Sequence, residues 1–157
     1  MLLIGDSLPL NRRHVLAGAA GVVMAVVLRP AHAAAGDLAV AVAAYTKGAT
    51  VRAGKVKLDV AELVDNGNVV PITVTVDSPM TAADHVKSIA VFNEKNPQRD
   101  VARFTLGPRA GKASVTTRIR LATTQQLVAV AQMGDGSYWS HTVDVIVTLA
   151  ACIEGDI

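Results

Sequence analysis

Cysteine is all but missing from this chain, with one residue, Cys152, among 157. A lone cysteine cannot close an internal disulfide, so it is either a free thiol or the partner of another chain. Histidine is scarce too, at four residues. His14 and His32 fall in the N-terminal leader, which leaves His85 and His141. Neither has ligand-like spacing to the other or to Cys152, so no metal site and no cofactor is expected, and each reads as a satisfied or solvent-facing side chain. There is no Gly-x-Ser-x-Gly, and no Ser/His/Asp set with informative spacing. Gly107-Pro108-Arg109-Ala110-Gly111-Lys112 only superficially looks like a phosphate loop: Pro108 removes an amide, the glycine spacing is wrong, and the stretch joins two strands.

A long hydrophobic span is also lacking. Asn11-Arg12-Arg13-His14-Val15-Leu16 is followed by an apolar run to Leu28, short of the ~20 residues needed to cross a bilayer. Ala31-His32-Ala33 then supplies a small-x-small cleavage motif. Residues 1–33 are therefore expected to be a twin-arginine export signal built on Arg12 and Arg13. The mature protein would start near Ala34, with no membrane segment, in the periplasm. The leader carries Arg12, Arg13 and Arg29 against Asp6 alone, so its removal leaves twelve basic and twelve acidic residues. A net charge of zero gives no nucleic-acid footprint.

What is present is β patterning. Asp37 to Lys47, with Leu38, Val42 and Tyr45 at helical spacing before Gly48, predicts a short helix packed on the domain. Thr50 to Lys55 reads as a polar, basic link. Val56, Leu58 and Val60 then alternate with polar residues, and Asp65-Asn66-Gly67-Asn68 predicts a turn using positive φ. Ile72, Val74 and Val76 face opposite to Thr73, Thr75 and Asp77. Pro71 implies an edge strand or a start after the proline. Further strands are expected at Val86 to Phe92, Val101 to Leu106 and Val115 to Leu121. Leu127 to Met133 is apolar enough to be central, and Thr142 to Leu149 alternates. About seven short strands with turn residues between them predict an all-β, immunoglobulin-like sandwich over residues 34–149.

Residues 150–157 then form an extended arm, Ala150-Ala151-Cys152-Ile153-Glu154-Gly155-Asp156-Ile157. Eight extended residues span roughly 26 Å, enough to carry the thiol clear of the domain. Glu154, Asp156 and the terminal carboxylate disfavour the thiolate, which places Cys152 at or above the unperturbed pKa of ~8.5. Such a thiol is a poor catalyst, and it suits a handle that another protein's active site deprotonates.

Asn66-Gly67-Asn68-Val69-Val70-Pro71-Ile72, Val76-Asp77-Ser78-Pro79-Met80-Thr81 and Phe92-Asn93-Glu94-Lys95-Asn96-Pro97 together resemble the SoxY family. Thr117-Arg118-Ile119-Arg120-Leu121-Ala122 and Val128-Ala129-Val130-Ala131 extend the resemblance across the mature chain. It implies the sulfur-carrying subunit of periplasmic thiosulfate-oxidising systems: not an enzyme, but a protein-bound substrate of other enzymes. It also implies an immunoglobulin-like sandwich, twin-arginine export, a SoxZ-like partner in a heterodimer, and sulfur held covalently on the C-terminal cysteine. The family arm is Gly-Gly-Cys-Gly-Gly. Here Ala150 and Ala151 precede Cys152, while Ile153 and Glu154 follow it, which resembles a SoxY-related branch with an Ala-Ala-Cys-Ile-Glu arm. Ala150, Ala151, Ile153 and Glu154 are accordingly expected to be read by the enzymes that dock there. The alternative reading is a structural binding module whose Cys152 forms an interchain disulfide.

Overall fold

The computed structural model describes residues 33–149. They form one helix, α1 (Ala33–Thr46), and nine strands: β1 (Val51–Ala53), β2 (Val56–Asp59), β3 (Leu63–Val64), β4 (Val70–Val76), β5 (Val86–Asn93), β6 (Asp100–Thr105), β7 (Ser114–Ile119), β8 (Gln125–Met133) and β9 (Tyr138–Val147). One sheet has the order β1-β9-β8-β5-β6, with β3 also on β9, and the other is β2-β4-β7. The expected β-sandwich is what forms. The count exceeds seven because β1 and β3 are short pieces that both pair in parallel with β9.

Alternation makes the core. Val70, Ile72, Val74 and Val76 of β4 are all buried and meet Ile89, Val91, Leu127, Ala129, Ala131 and Val145 from the larger sheet. β8 is covered on both faces, as its apolar run predicts. Leu127, Ala129 and Ala131 point between the sheets, whereas Val128 and Val130 join Leu38, Ala90, Phe92 and Tyr138 beneath α1. The helix is Ala-rich, and its 14 residues are marginal in isolation, so its stability comes from this second cluster.

Three expectations are corrected. Val51–Ala53 is not a link but the strand β1, whose partners Tyr138 to Ser140 lie far away in sequence. Pro71 belongs to β4, the middle strand of its sheet. It is tolerated because β2 pairs only with Thr73 to Val76, so Pro71 lies beyond the end of β2. The Asp65–Asn68 turn needs no positive φ: the Asn66 side chain accepts from the Asn68 amide at 2.9 Å and closes it locally. A single 3-10 turn, Pro108–Ala110, joins β6 to β7 and leads into a strand.

Tyr45 fixes α1 to the sheet. Its hydroxyl lies 2.7 Å from Ser88 Oγ, its ring is 5.7 Å from that of Phe92, and the Arg103 guanidinium sits 5.2 Å from its centroid. Burial raises its pKa above 10, only partly offset by the Ser88 hydrogen bond. The folded state thus holds the phenolic proton more tightly than the unfolded chain does. That contribution is complete below pH ~10 and is lost as pH rises through the raised pKa. Titration of tyrosinate absorbance should show one tyrosine ionising late, and Tyr45→Phe should remove that late component.

Candidate functional site: the root of the C-terminal arm

Cys152 and its neighbours Ala150, Ala151, Ile153 and Glu154 lie outside the described residues, as do Arg12 and Arg13. The structure instead gives the platform from which the arm departs. β9 ends at Val147, and this end with the two following residues is held from two sides.

On one side stands β3 with its following turn. Ile146 N donates to Glu62 O at 2.7 Å, and Thr148 N donates to Val64 O at 3.0 Å. Thr148 Oγ1 donates to Asp65 O at 3.2 Å, and Gly67 N donates to Leu149 O at 2.9 Å. Gly67 O in turn accepts from Leu121 N at 2.8 Å, so this one glycine ties the arm's root to the chain after β7. On the other side, Thr124 Oγ1 accepts from Val147 N at 2.9 Å.

Behind Thr124 lies a polar network built from the loop after β5. Asn96 Oδ1 accepts from Ala122 N at 2.9 Å and from Gln125 Nε2 at 2.7 Å, while Asn96 Nδ2 donates to Arg120 O at 2.8 Å. Gln125 Oε1 accepts from Lys95 N, and Asn93 Nδ2 donates to Gln98 O. Arg99 donates to Asn96 O and pairs with Asp37 at 3.2 Å. Asn93 and Gln125 are almost fully buried, and both are satisfied, as buried amides must be. The Phe92-to-Pro97 motif thus orders the loop behind Thr124 at the end of β9, and Asn66-Gly67-Asn68 holds the Leu149 carbonyl.

The surface at this end carries exposed apolar side chains: Leu63 and Ile146, which are register partners, and Leu149. Among the described residues, no group of three or more His, Cys, Asp or Glu side chains is gathered as metal ligands. Exposed His141 accepts from Leu58 N through Nδ1 at 3.1 Å; half-buried His85 leaves its Nδ1 without a partner. No helix among these residues is long and apolar enough to cross a membrane.

The sequence reading missed β3, Thr124 and the anchoring role of Gly67. A two-residue strand has no periodicity to detect, and its partner is over 80 residues away. A Gly in a turn signals conformation, not that its amide will meet Leu149.

Comparison with known proteins fits this geometry. A search of curated sequences gives no match. Among solved structures, the sulfur carrier protein SoxY from Chlorobium limicola f thiosulfatophilum is 30% identical, covers 73% of this chain and 94% of its own, and superposes with a TM-score of 0.62. The superoxide reductase (neelaredoxin) from Ignicoccus hospitalis is 20% identical over 60% of this chain and 80% of its own, with a TM-score of 0.53. A putative superoxide reductase from Thermotoga maritima is 22% identical over 66% of this chain and 89% of its own, with a TM-score of 0.51. These two likenesses show a shared fold alone. The family described as sulfur oxidation protein SoxY matches residues 41–152, a span that ends on the lone cysteine and takes in both motifs that hold the end of β9, and the chain belongs to that family.

Proposed function

We propose that this protein is a periplasmic sulfur carrier that holds sulfur intermediates covalently on Cys152 while separate enzymes act on them. The observation that carries this reading is the pinned root: the last described carbonyl, Leu149 O, is held by Gly67, and Cys152 follows three residues later. A strand end held by these hydrogen bonds and followed by a short tether suits a thiol that other proteins act on. Family membership and the likeness to a sulfur carrier protein support the same role.

The chemistry asked of the chain is small. The Cys152 thiol loses its proton inside the docked enzyme, and the thiolate forms a sulfur–sulfur bond with an anionic sulfur species such as thiosulfate. That bond formation releases two electrons, which the oxidising enzyme takes up. Hydrolysis by a further enzyme releases oxidised sulfur, and the carrier is not itself the catalyst. Ala150, Ala151, Ile153 and Glu154 are what such enzymes read. In this reading residues 1–33 are the export signal recognised through Arg12 and Arg13, 34–149 the sandwich and 150–157 the arm. A SoxZ-like subunit completes a heterodimer.

Intact-mass measurement of protein taken from the native host's periplasm tests the reading. Chains beginning near Ala34 and carrying sulfur or sulfur-oxoacid adducts on Cys152 are expected. A quantitative, reducible disulfide-linked pair without adducts would replace the carrier with a structural module.

A further inference from the structure

The smaller sheet has a feature the carrier role does not use. Lys57, Thr75 and Ser114 are register partners across β2, β4 and β7, so they stand side by side on its outer, solvent face. Adjacent strands put such neighbours about 5 Å apart, giving a row about 10 Å wide. Lys55, two residues before Lys57, and Lys112, two residues before Ser114, join the row in lining a concavity of about 520 Å³. Its floor is fixed where Val76 N donates to Ala113 O at 2.8 Å, both residues being buried.

The backbone holds the flanking lysines in place. Lys55 adopts a left-handed conformation at φ 55, unusual for a non-glycine residue, and its carbonyl accepts from Asp77 N at 2.7 Å. Its ammonium lies 5.3 Å from the centroid of Trp139. Lys112 follows Gly111, which has φ 75. The ion pairs among the described residues, Arg99–Asp37 and Arg103–Asp100, involve none of these lysines.

Acids are few here. Asp77 lines the concavity, and the exposed Asp135 carboxyl, near Lys55, is held below its usual range chiefly by hydrogen bonds from Ser137. The donors are better supplied. Thr75 Oγ1 and Ser114 Oγ lie 3.4 Å apart, so one hydroxyl can donate to the other and leave one free for a ligand. Ser78 Oγ is already occupied by Asp84 O and Met80 N.

We propose that this concavity binds a tetrahedral dianionic oxoanion, the class that includes sulfate and thiosulfate. Lys57 on β2 and Lys112 just before β7 flank the Thr75 and Ser114 hydroxyls from opposite sides, and donors on several sides of one anion suit an acceptor with oxygens in several directions. A tetrahedral anion offers these, whereas a planar carboxylate accepts within one plane. Lysine suits the task because its ammonium is a point charge with rotatable donors. The concavity is distinct from the end of β9: the row lies at the Val76 end of β4, whereas Leu149 is held by the turn that precedes Val70.

The test is titration of the full chain with sodium sulfate, with chloride balancing ionic strength, followed by amide chemical shifts of Lys57, Thr75 and Ser114. Saturable one-to-one shifts are expected, with thiosulfate and phosphate competing and acetate not competing. Lys57→Gln and Lys112→Gln should each weaken binding about tenfold, the scale of one charge-assisted hydrogen bond. Both side chains are exposed, so the fold should be unaffected, as circular dichroism would check. Cys152→Ser should bind like the parent, which separates this site from the carrier reading. Non-saturating shifts, competition by acetate, or unchanged affinity in the double lysine variant would overturn the proposal.

Discussion

Cys152→Ser is expected to abolish sulfur loading completely while leaving the melting temperature within a degree or two of the parent. Serine has the wrong nucleophile for a sulfur–sulfur bond, so the loss of loading is total. Stability is untouched because the described core closes without the arm: its buried residues run from Leu38 to Val145. Substitutions outside a packed core usually change stability by less than ~0.5 kcal/mol. Mass spectrometry after incubation with the loading enzymes reads the first expectation, and thermal unfolding reads the second. Residual adducts on the serine variant would place the attachment elsewhere. Deleting residues 153–157 sharpens the test, since a plain tether would still load, and more readily once Glu154 and Asp156 no longer oppose the thiolate. Loading is expected to fail, because Ile153 and Glu154 give an enzyme a side chain and a charge to recognise. Normal loading of the truncated chain would refute that role.

Phe92→Ala should be the most damaging single change to the fold, at about 3–5 kcal/mol of stability. Phe92 is fully buried in β5 between Val128 of β8 and Asp100 of β6, with Tyr45 of α1 packed on its ring. Truncation leaves a cavity in the cluster that holds the helix. Because α1 is marginal by itself, part of the loss should appear as helical signal fading ahead of the sheet. Chemical denaturation followed by far-ultraviolet circular dichroism measures both. A cost under ~1 kcal/mol would mean that the helix layer contributes little. Phe92→Leu keeps most of the volume and should cost less than half as much.

Much of this fold could be read from alternation. β4 shows it most plainly, because valine, isoleucine and threonine at a period of two fix both the strand and its inner face. β8 was legible for the opposite reason, its unbroken apolar run matching burial on both sides. The hidden parts share one cause. β1 and β3 are two or three residues long and owe their pairing to β9, so no local pattern announces them. Pro71 misled because propensity says nothing of where a neighbouring strand stops. At the site, a lone cysteine after the last strand was visible at once. The network of Asn96, Gln125 and Thr124 by the end of β9 was not, since each bond joins loops about 20 to 30 residues apart in sequence.

The grip of Gly67 on the Leu149 carbonyl acts as a depth gauge. Cys152 is the third residue beyond that carbonyl, and three extended residue steps reach about 10–11 Å. Under the proposed carrier role, an enzyme that works on the thiol must therefore have its reacting atoms within that distance of the surface it rests against the sandwich. A deeper active site could be served only by peeling Thr148 and Leu149 from Val64, Asp65 and Gly67, a length of chain that β3 and its turn hold in reserve.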